Sequence, residues 1–168
     1  VMIPATVPQV MDDLRILSLE IQRMPKSIEE TFAHPANYPY LSVCTTSTHD
    51  MNPIRAWWEE DREVTNDFWQ MILGNQGEAP YYCEPWICRQ ILEQHVWSPA
   101  MLTILPLQDW LSMDPQLRRE DPNAERINVP ANSRHYWRYR MHLTLEQLAA
   151  AEDFNRTLGE MIASSGRC

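Results

Sequence analysis

Residues 40 to 50 read Tyr-Leu-Ser-Val-Cys-Thr-Thr-Ser-Thr-His-Asp. A short apolar run, Tyr40 to Thr46, passes into a string of hydroxyl residues and stops at His49-Asp50. A buried strand that delivers a carboxylate to its carboxyl tip is the pattern of an α/β barrel active site. Asp50 has a second reading as the N-cap of the segment that opens at Asn52-Pro53, because Asp and Asn are good caps.

Working outward, two more apolar runs of strand length, Leu14 to Ile21 and Met101 to Leu107, flank this one. Their apolar content suits burial on both faces, and segments of helical period separate them, which marks βα units and a parallel sheet. Between the second and third runs, Asn52 and Pro53 occupy cap and first-turn positions, and Gly74 stands where a helix stops. One helix is expected over residues 53 to 73, with Ile54, Trp57, Val64, Phe68 and Met71 facing the core at helical spacing. Pro85 opens a second helix to Val96, with Ile87, Ile91 and Leu92 inward. A third begins at Thr144, where Thr144 and Gln147 fit a capping box ahead of Leu148, Phe154, Leu158 and Ile162. The prolines gather in loops, which fixes backbone geometry where barrel enzymes keep their sites; the candidate loops are residues 22–39, 74–84 and 112–136.

Composition narrows the partners. A net charge of −9 argues against nucleic acid, since phosphate binding needs a basic surface. No apolar run approaches the roughly 20 residues of a membrane helix, and the N-terminus has no basic and apolar regions of a signal peptide. Cys44, Cys83, Cys88 and Cys168 lack zinc-like spacing and read as reduced thiols, which fits the cytoplasm. The histidines show no ligand spacing, so neither a metal nor a cofactor is expected. With 168 residues, 44% of them hydrophobic, the chain can bury one ordinary core, and all of residues 1–168 are read as one portion of a single domain. A complete eight-stranded barrel takes about 250 residues, and the chain starts at Val1, so a fragment is expected.

Thr48-His49-Asp50 resembles the element that ends the seventh barrel strand of the amylomaltases, or 4-alpha-glucanotransferases. Further pieces fall in that family's order: Val1 to Val10, Leu14 to Pro25, Met101 to Met113, Arg126-Ile127-Asn128, and the closing run from Asn132 to Arg140. The resemblance covers nearly the whole chain. It implies an α/β fold, namely strands six to eight of an incomplete (β/α)8 barrel, and malto-oligosaccharides or other α-1,4-glucans as partners. The missing N-terminal part of the same barrel is the other implied partner.

Retaining glycoside transfer uses a nucleophilic carboxylate and an acid/base carboxylate about 5 Å apart. A third can bind ring hydroxyls more strongly as positive charge develops. By resemblance Asp50 is that third carboxylate, a transition-state stabiliser, and His49 hydrogen-bonds hydroxyls of the same sugar. Asn128 corresponds to an asparagine that reaches the sugar from the loop after strand eight; equally, it can hold a turn before Pro130. Where the family often has Pro-Gly after this asparagine, this chain has Val129-Pro130-Ala131. The nucleophile and the acid/base, which belongs to a Glu-Asp-Leu element, are implied to lie upstream of Val1, so the isolated chain is expected to be inactive. A noncatalytic glucan-binding piece and an α-glucan hydrolase stand as alternatives.

Other polar positions have two readings each. Gln108, Asp109 and Trp110 follow the third strand, where they can touch substrate, or Asp109 can cap the next segment while Trp110 packs beneath it. Glu20, Gln22 and Arg23 share that ambiguity at the tip of the first strand. The run His135 to Arg140 mimics a stacking surface for nucleic acid, but the acidic balance favours packing, with Trp137 and Tyr139 buried and Arg138 or Arg140 paired with carboxylates.

Overall fold

A computed structural model of the chain describes Pro4 and residues 6–167. Val1, Met2, Ile3 and Ala5 of the stretch Val1 to Val10, and the Cys168 thiol, lie outside the described residues. The elements run α1 (Thr6–Asp13), β1 (Ser18–Ile21), β2 (Ser42–Thr45), α2 (Ile54–Trp58), α3 (Arg62–Met71), α4 (Pro85–Val96), β3 (Leu102–Thr103), α5 (Leu107–Leu111), α6 (Leu145–Ala150) and α7 (Glu152–Ser164). The strands form a parallel sheet in the order β1-β2-β3, with Glu20 opposite Cys44 and Cys44 opposite Thr103.

All three strands are shorter than the apolar runs that announce them. Arg15, at φ 55°, turns the chain out of α1, and the Ile16 amide still bonds to the Met11 carbonyl, so pairing begins only at Ser18. Pro106 has no amide hydrogen to donate to a ladder, so pairing ends early and the backbone turns into α5. On β2, Cys44 and Thr45 point to opposite faces and are both buried, with Val43 half-buried, but Leu19 and Leu102 on the flanking strands and Ile104 just past β3 stand exposed.

The helix expected over residues 53–73 is two helices. Asp61 adopts extended backbone, and its carboxylate accepts from the amides of Glu63 and Val64 at 2.9 and 3.3 Å, an N-cap that starts α3 afresh. The Thr65 hydroxyl locks the break by donating to the Trp58 carbonyl at 2.7 Å. Pro53 stands at the cap position of α2 rather than in its first turn and supplies no side-chain cap. Of the expected core stripe, Ile54 and Phe68 are buried, Trp57 and Val64 pack at the margin, and Met71 faces solvent. Gly74 takes φ 68°, a left-handed backbone that favours glycine, just past the end of α3.

The α4 helix has the bounds read from the sequence, with Pro85 in its first turn and Ile87, Ile91 and Leu92 inward. Phe32, Trp57 and Trp58 meet the Phe68 ring edge-on at centroid distances of 5.1, 5.1 and 6.3 Å, joining the loop after β1 to α2 and α3. Burying a side chain such as Phe68 is worth about 1.5–3 kcal/mol, and this aromatic knot sits in the larger buried cluster with Ile87, Ile91 and Leu92 of α4. The Thr144 capping box has both of its bonds, 3.1 and 2.8 Å. That helix breaks at Ala151 (ψ 67°) and resumes as α7, which lies against α4 with Phe154 and Met161 buried. Arg167 then donates to the carbonyls of Val96, Ser98 and Ala100, tying the end of the chain to the turn before β3.

Candidate functional site

The loop that leaves β2 carries the site. Thr46 and Ser47 turn their hydroxyls inward, and both donate to the same oxygen of Asp109, at 2.6 and 2.7 Å. The other Asp109 oxygen accepts the Ile54 amide at 2.8 Å. Asp109 is wholly buried, so it neither touches substrate nor caps its own short helix α5; it caps α2 from across the fold. One carboxylate thus fixes both ends of the segment from Thr46 to Ile54, and His49 and Asp50 sit between them. Three short bonds from donors of this kind satisfy a charge that burial would otherwise penalise heavily.

Above that anchor, Asp50 bonds on both sides. One carboxylate oxygen accepts from the Asn128 amide at 2.7 Å, and the other lies 3.2 Å from His49 Nε2. The Asp50 side chain remains 56% exposed, so both oxygens keep lone pairs open to an incoming hydroxyl. Asn128 is buried, and its side-chain amide is spent on Asp50 rather than on the local turn that its sequence context allows. The structure therefore brings His49, Asp50 and Asn128 together at one rim of the sheet, although 78 residues separate Asp50 from Asn128.

The loop that presents Asn128 has its own support. Arg55 in α2 donates to the carbonyls of Arg119 and Glu120 and lies 3.4 Å from Glu125, while Gln108 donates to the Glu125 carbonyl. Burial pushes the Glu125 carboxyl up to about 7 in spite of the Arg55 guanidinium beside it. Further along, His135 Nε2 donates to the Ile127 carbonyl at 2.9 Å. A cavity of about 60 Å³ lies under His49, between Pro53, Pro106, Gln108 and Ile127.

The run from His135 to Arg140 departs from the packing expected of it. Trp137 is 60% exposed and Tyr136 is exposed too, because the loop lies on the rim rather than under it. The Trp137 ring stands 5.2 Å from the His49 imidazole, tilted by 47°, which puts an exposed aromatic ring beside the neighbour of Asp50. Neither Arg138 nor Arg140 forms an ion pair among the described residues; Arg138 stacks on Tyr136 with its guanidinium carbon 4.7 Å from the ring centre. Trp110 packs at the margin of the core, as its burial reading has it. At the tip of β1, Glu20 pairs with Lys26, Gln22 is buried and donates to Gln94 in α4, and Arg23 donates to the carbonyls of Thr46 and Asn52, so Arg23 braces the site loop.

Sequence reasoning missed the roles of Asp109, Arg55 and Glu125 and the exposure of Trp137. The signal for Asp109 lay in the hydroxyl string Thr45-Thr46-Ser47: donors at a buried strand tip need an acceptor, and a carboxylate just past the next strand is the natural one.

Comparison with known proteins identifies the family. A family model described as 4-alpha-glucanotransferase matches residues 1–145. The chain is 41% identical over 166 residues to the 4-alpha-glucanotransferase DPE2 of Oryza sativa subsp. japonica, covering 99% of this chain and 18% of that protein. It is 30% identical over 163 residues to the 4-alpha-glucanotransferase of Chlamydia muridarum, covering 95% of this chain and 30% of that one. Among solved structures, the amylomaltase of Streptococcus agalactiae in complex with acarbose is similar over 99% of this chain and 30% of its own, with a TM-score of 0.70 at 19% identity. The chain thus spans well under a third of the rice protein's length and about a third of the bacterial ones. With the matched residues running through β1, β2, β3 and the Asp50–Asn128 pair, the chain belongs to the 4-alpha-glucanotransferase family.

Proposed function

We propose that this chain is the C-terminal portion of a single catalytic (β/α)8 barrel, with β1, β2 and β3 as strands six, seven and eight. The complete enzyme moves α-1,4-glucan segments between malto-oligosaccharides through a covalent glycosyl-enzyme. The observation that carries this reading is the bond between Asn128 and Asp50. It holds a half-exposed carboxylate at a strand tip, beside an imidazole and an exposed tryptophan, which is the equipment for gripping sugar hydroxyls and an apolar sugar face. Asp50 is the transition-state stabiliser, and His49 and Asn128 bind substrate.

The other carboxylates near the rim cannot supply the remaining chemistry. Retention needs a nucleophile and an acid/base about 5 Å apart and open to the sugar. Asp109 is buried with both oxygens engaged, and Glu125 is buried beside Arg55. On this reading, as the family resemblance implies, both catalytic groups come from polypeptide that precedes Val1 in the complete barrel. Buried thiols at Cys44, Cys83 and Cys88 that are not joined in disulfides support placing the enzyme in the cytoplasm.

Incubation with maltotriose tests the proposal. The complete enzyme converts it to glucose and longer malto-oligosaccharides, the isolated 168-residue chain does not, and Asp50→Ala lowers turnover by about 100-fold or more with the thermal transition intact. Sustained turnover by the isolated chain, or an unchanged rate in Asp50→Ala, overturns the assignment. Products ending at water rather than sugar identify a hydrolase instead.

A further inference from the structure

Six of the chain's 14 basic residues fall between Arg118 and Arg140, in a protein whose net charge is −9. Four of them, Arg119, Arg126, Arg138 and Arg140, line one pocket of about 320 Å³ together with His135 and Tyr139. No carboxylate lines it, and none of the four arginines forms an ion pair among the described residues. The neighbouring carboxylate, Glu125, lies outside the pocket, accepts the Arg119 backbone amide at 3.3 Å and is shared with Arg55. One carboxylate thus faces a cluster of four cations, an imbalance that is unfavourable and grows where the groups are partly desolvated. Here the Nε atoms of Arg119 and Arg126 are buried with no acceptor.

We infer that this pocket binds a phosphate monoester carried on a sugar. The cluster is held open rather than collapsed. Arg119 donates to the Arg140 carbonyl at 2.6 Å and lies over the Tyr139 ring, while Arg138 stacks on Tyr136. Each guanidinium keeps further N–H donors, and their planar fork matches two oxygens of a phosphate. Four such forks exceed what a single carboxylate accepts, whereas a phosphate monoester offers three oxygens and a charge of about −1.5 to −2 at pH 7. A polyanion such as nucleic acid is repelled by the acidic remainder of the molecule. A small dianion is not, because charge more than about 8 Å away is largely screened at physiological salt.

The sugar part rests on the function proposed above. Ile127 lines both this pocket and the cavity under His49, Asn128 follows it in the chain and bonds to Asp50, and His135 ties the two walls together through the Ile127 carbonyl. A sugar seated against Asp50 and Trp137 thus has the arginine pocket as its neighbour.

Titration of the complete enzyme with glucose 6-phosphate, orthophosphate and glucose, followed by calorimetry and ³¹P line broadening, tests this. Glucose 6-phosphate binds at least tenfold more tightly than either of the others, and Arg138→Gln combined with Arg126→Gln abolishes that advantage while the thermal transition is retained. Arg138→Gln alone, at an exposed side chain, gives the same loss in part and guards against misfolding of the double variant. Equal binding of orthophosphate and glucose 6-phosphate overturns the sugar assignment. Equal binding of glucose and glucose 6-phosphate, or an advantage that survives both substitutions, overturns the site. Because calorimetry needs no turnover, failure of the transferase reading shows separately as an enzyme that binds glucose 6-phosphate yet leaves maltotriose unchanged.

Discussion

Asn128→Ala removes one hydrogen bond, and the geometry says what that bond does. Its amide donates at 2.7 Å to a carboxylate oxygen of Asp50 from a buried position, so the interaction is charge-assisted and short. Such bonds contribute about 1.5–3 kcal/mol, but Asp50 is half exposed and water replaces part of the loss, which favours the lower end. At about 1.4 kcal/mol per tenfold, kcat/KM for maltotriose in the complete enzyme falls by roughly 10- to 30-fold. A double-mutant cycle separates positioning from direct contact. If Asn128 acts by holding Asp50, Asn128→Ala lowers kcat/KM strongly in the wild type and hardly at all in the Asp50→Asn background, with a coupling close to the single-mutant effect. Full additivity of the two losses refutes the idea that Asn128 works through Asp50 and makes it an independent sugar contact.

Other consequences follow from the buried polar groups. Asp109→Ala strands two hydroxyls and the Ile54 amide, each at about 1–3 kcal/mol, so the complete enzyme loses more than about 3 kcal/mol and its melting temperature falls by several degrees; Asp109→Asn recovers part of it. His95 is wholly buried and held down to about 4, so its contribution is fully present above about pH 6.5 and is lost as pH falls towards 4; imidazole NMR finds the ring neutral at pH 5. Glu125, pushed up to about 7, has the opposite sign, its contribution declining as pH rises from about 4.5 to 7. Glu125→Gln therefore makes the pH dependence of the urea midpoint climb more steeply across that window than in the wild type.

What was legible in the sequence was what local chemistry decides. Pro85 and the apolar spacing after it gave both ends of α4, and Thr144 with Gln147 gave the capping box, because those preferences act within one or two helical turns. The parallel sheet and the strand that leads to Asp50 were legible for the same reason. Asp61 was overlooked as the start of a second helix because the apolar spacing runs smoothly across it; only the extended backbone and the Thr65 bond to Trp58 reveal the break. Trp137 looked like core by composition, yet exposure depends on which loop reaches the rim, and no residue type encodes that; its neighbour Tyr139 is half-buried under Arg119.

The candidate site shows the same division more sharply. His49 and Asp50 are adjacent in the chain and stood out together, but the residue that holds their loop is Asp109, 59 positions beyond Asp50 by sequence number, and the one that orients Asp50 is Asn128. Each alone has a bland local explanation, a helix cap or a turn before proline. The structure assigns the cap to a different helix and the amide to a different loop. Both assignments come from parallel strands placing the ends of β2 and β3 side by side, so that whatever follows β3 meets whatever follows β2. The arginines from 119 to 140 arrive at the same rim by the same route. A single topological fact, the neighbouring of two strand tips, thus decides which polar residues become structure and which are left open to a ligand: Asp109 is closed off beneath the tips, while Asp50 and the arginine pocket above them keep their valences.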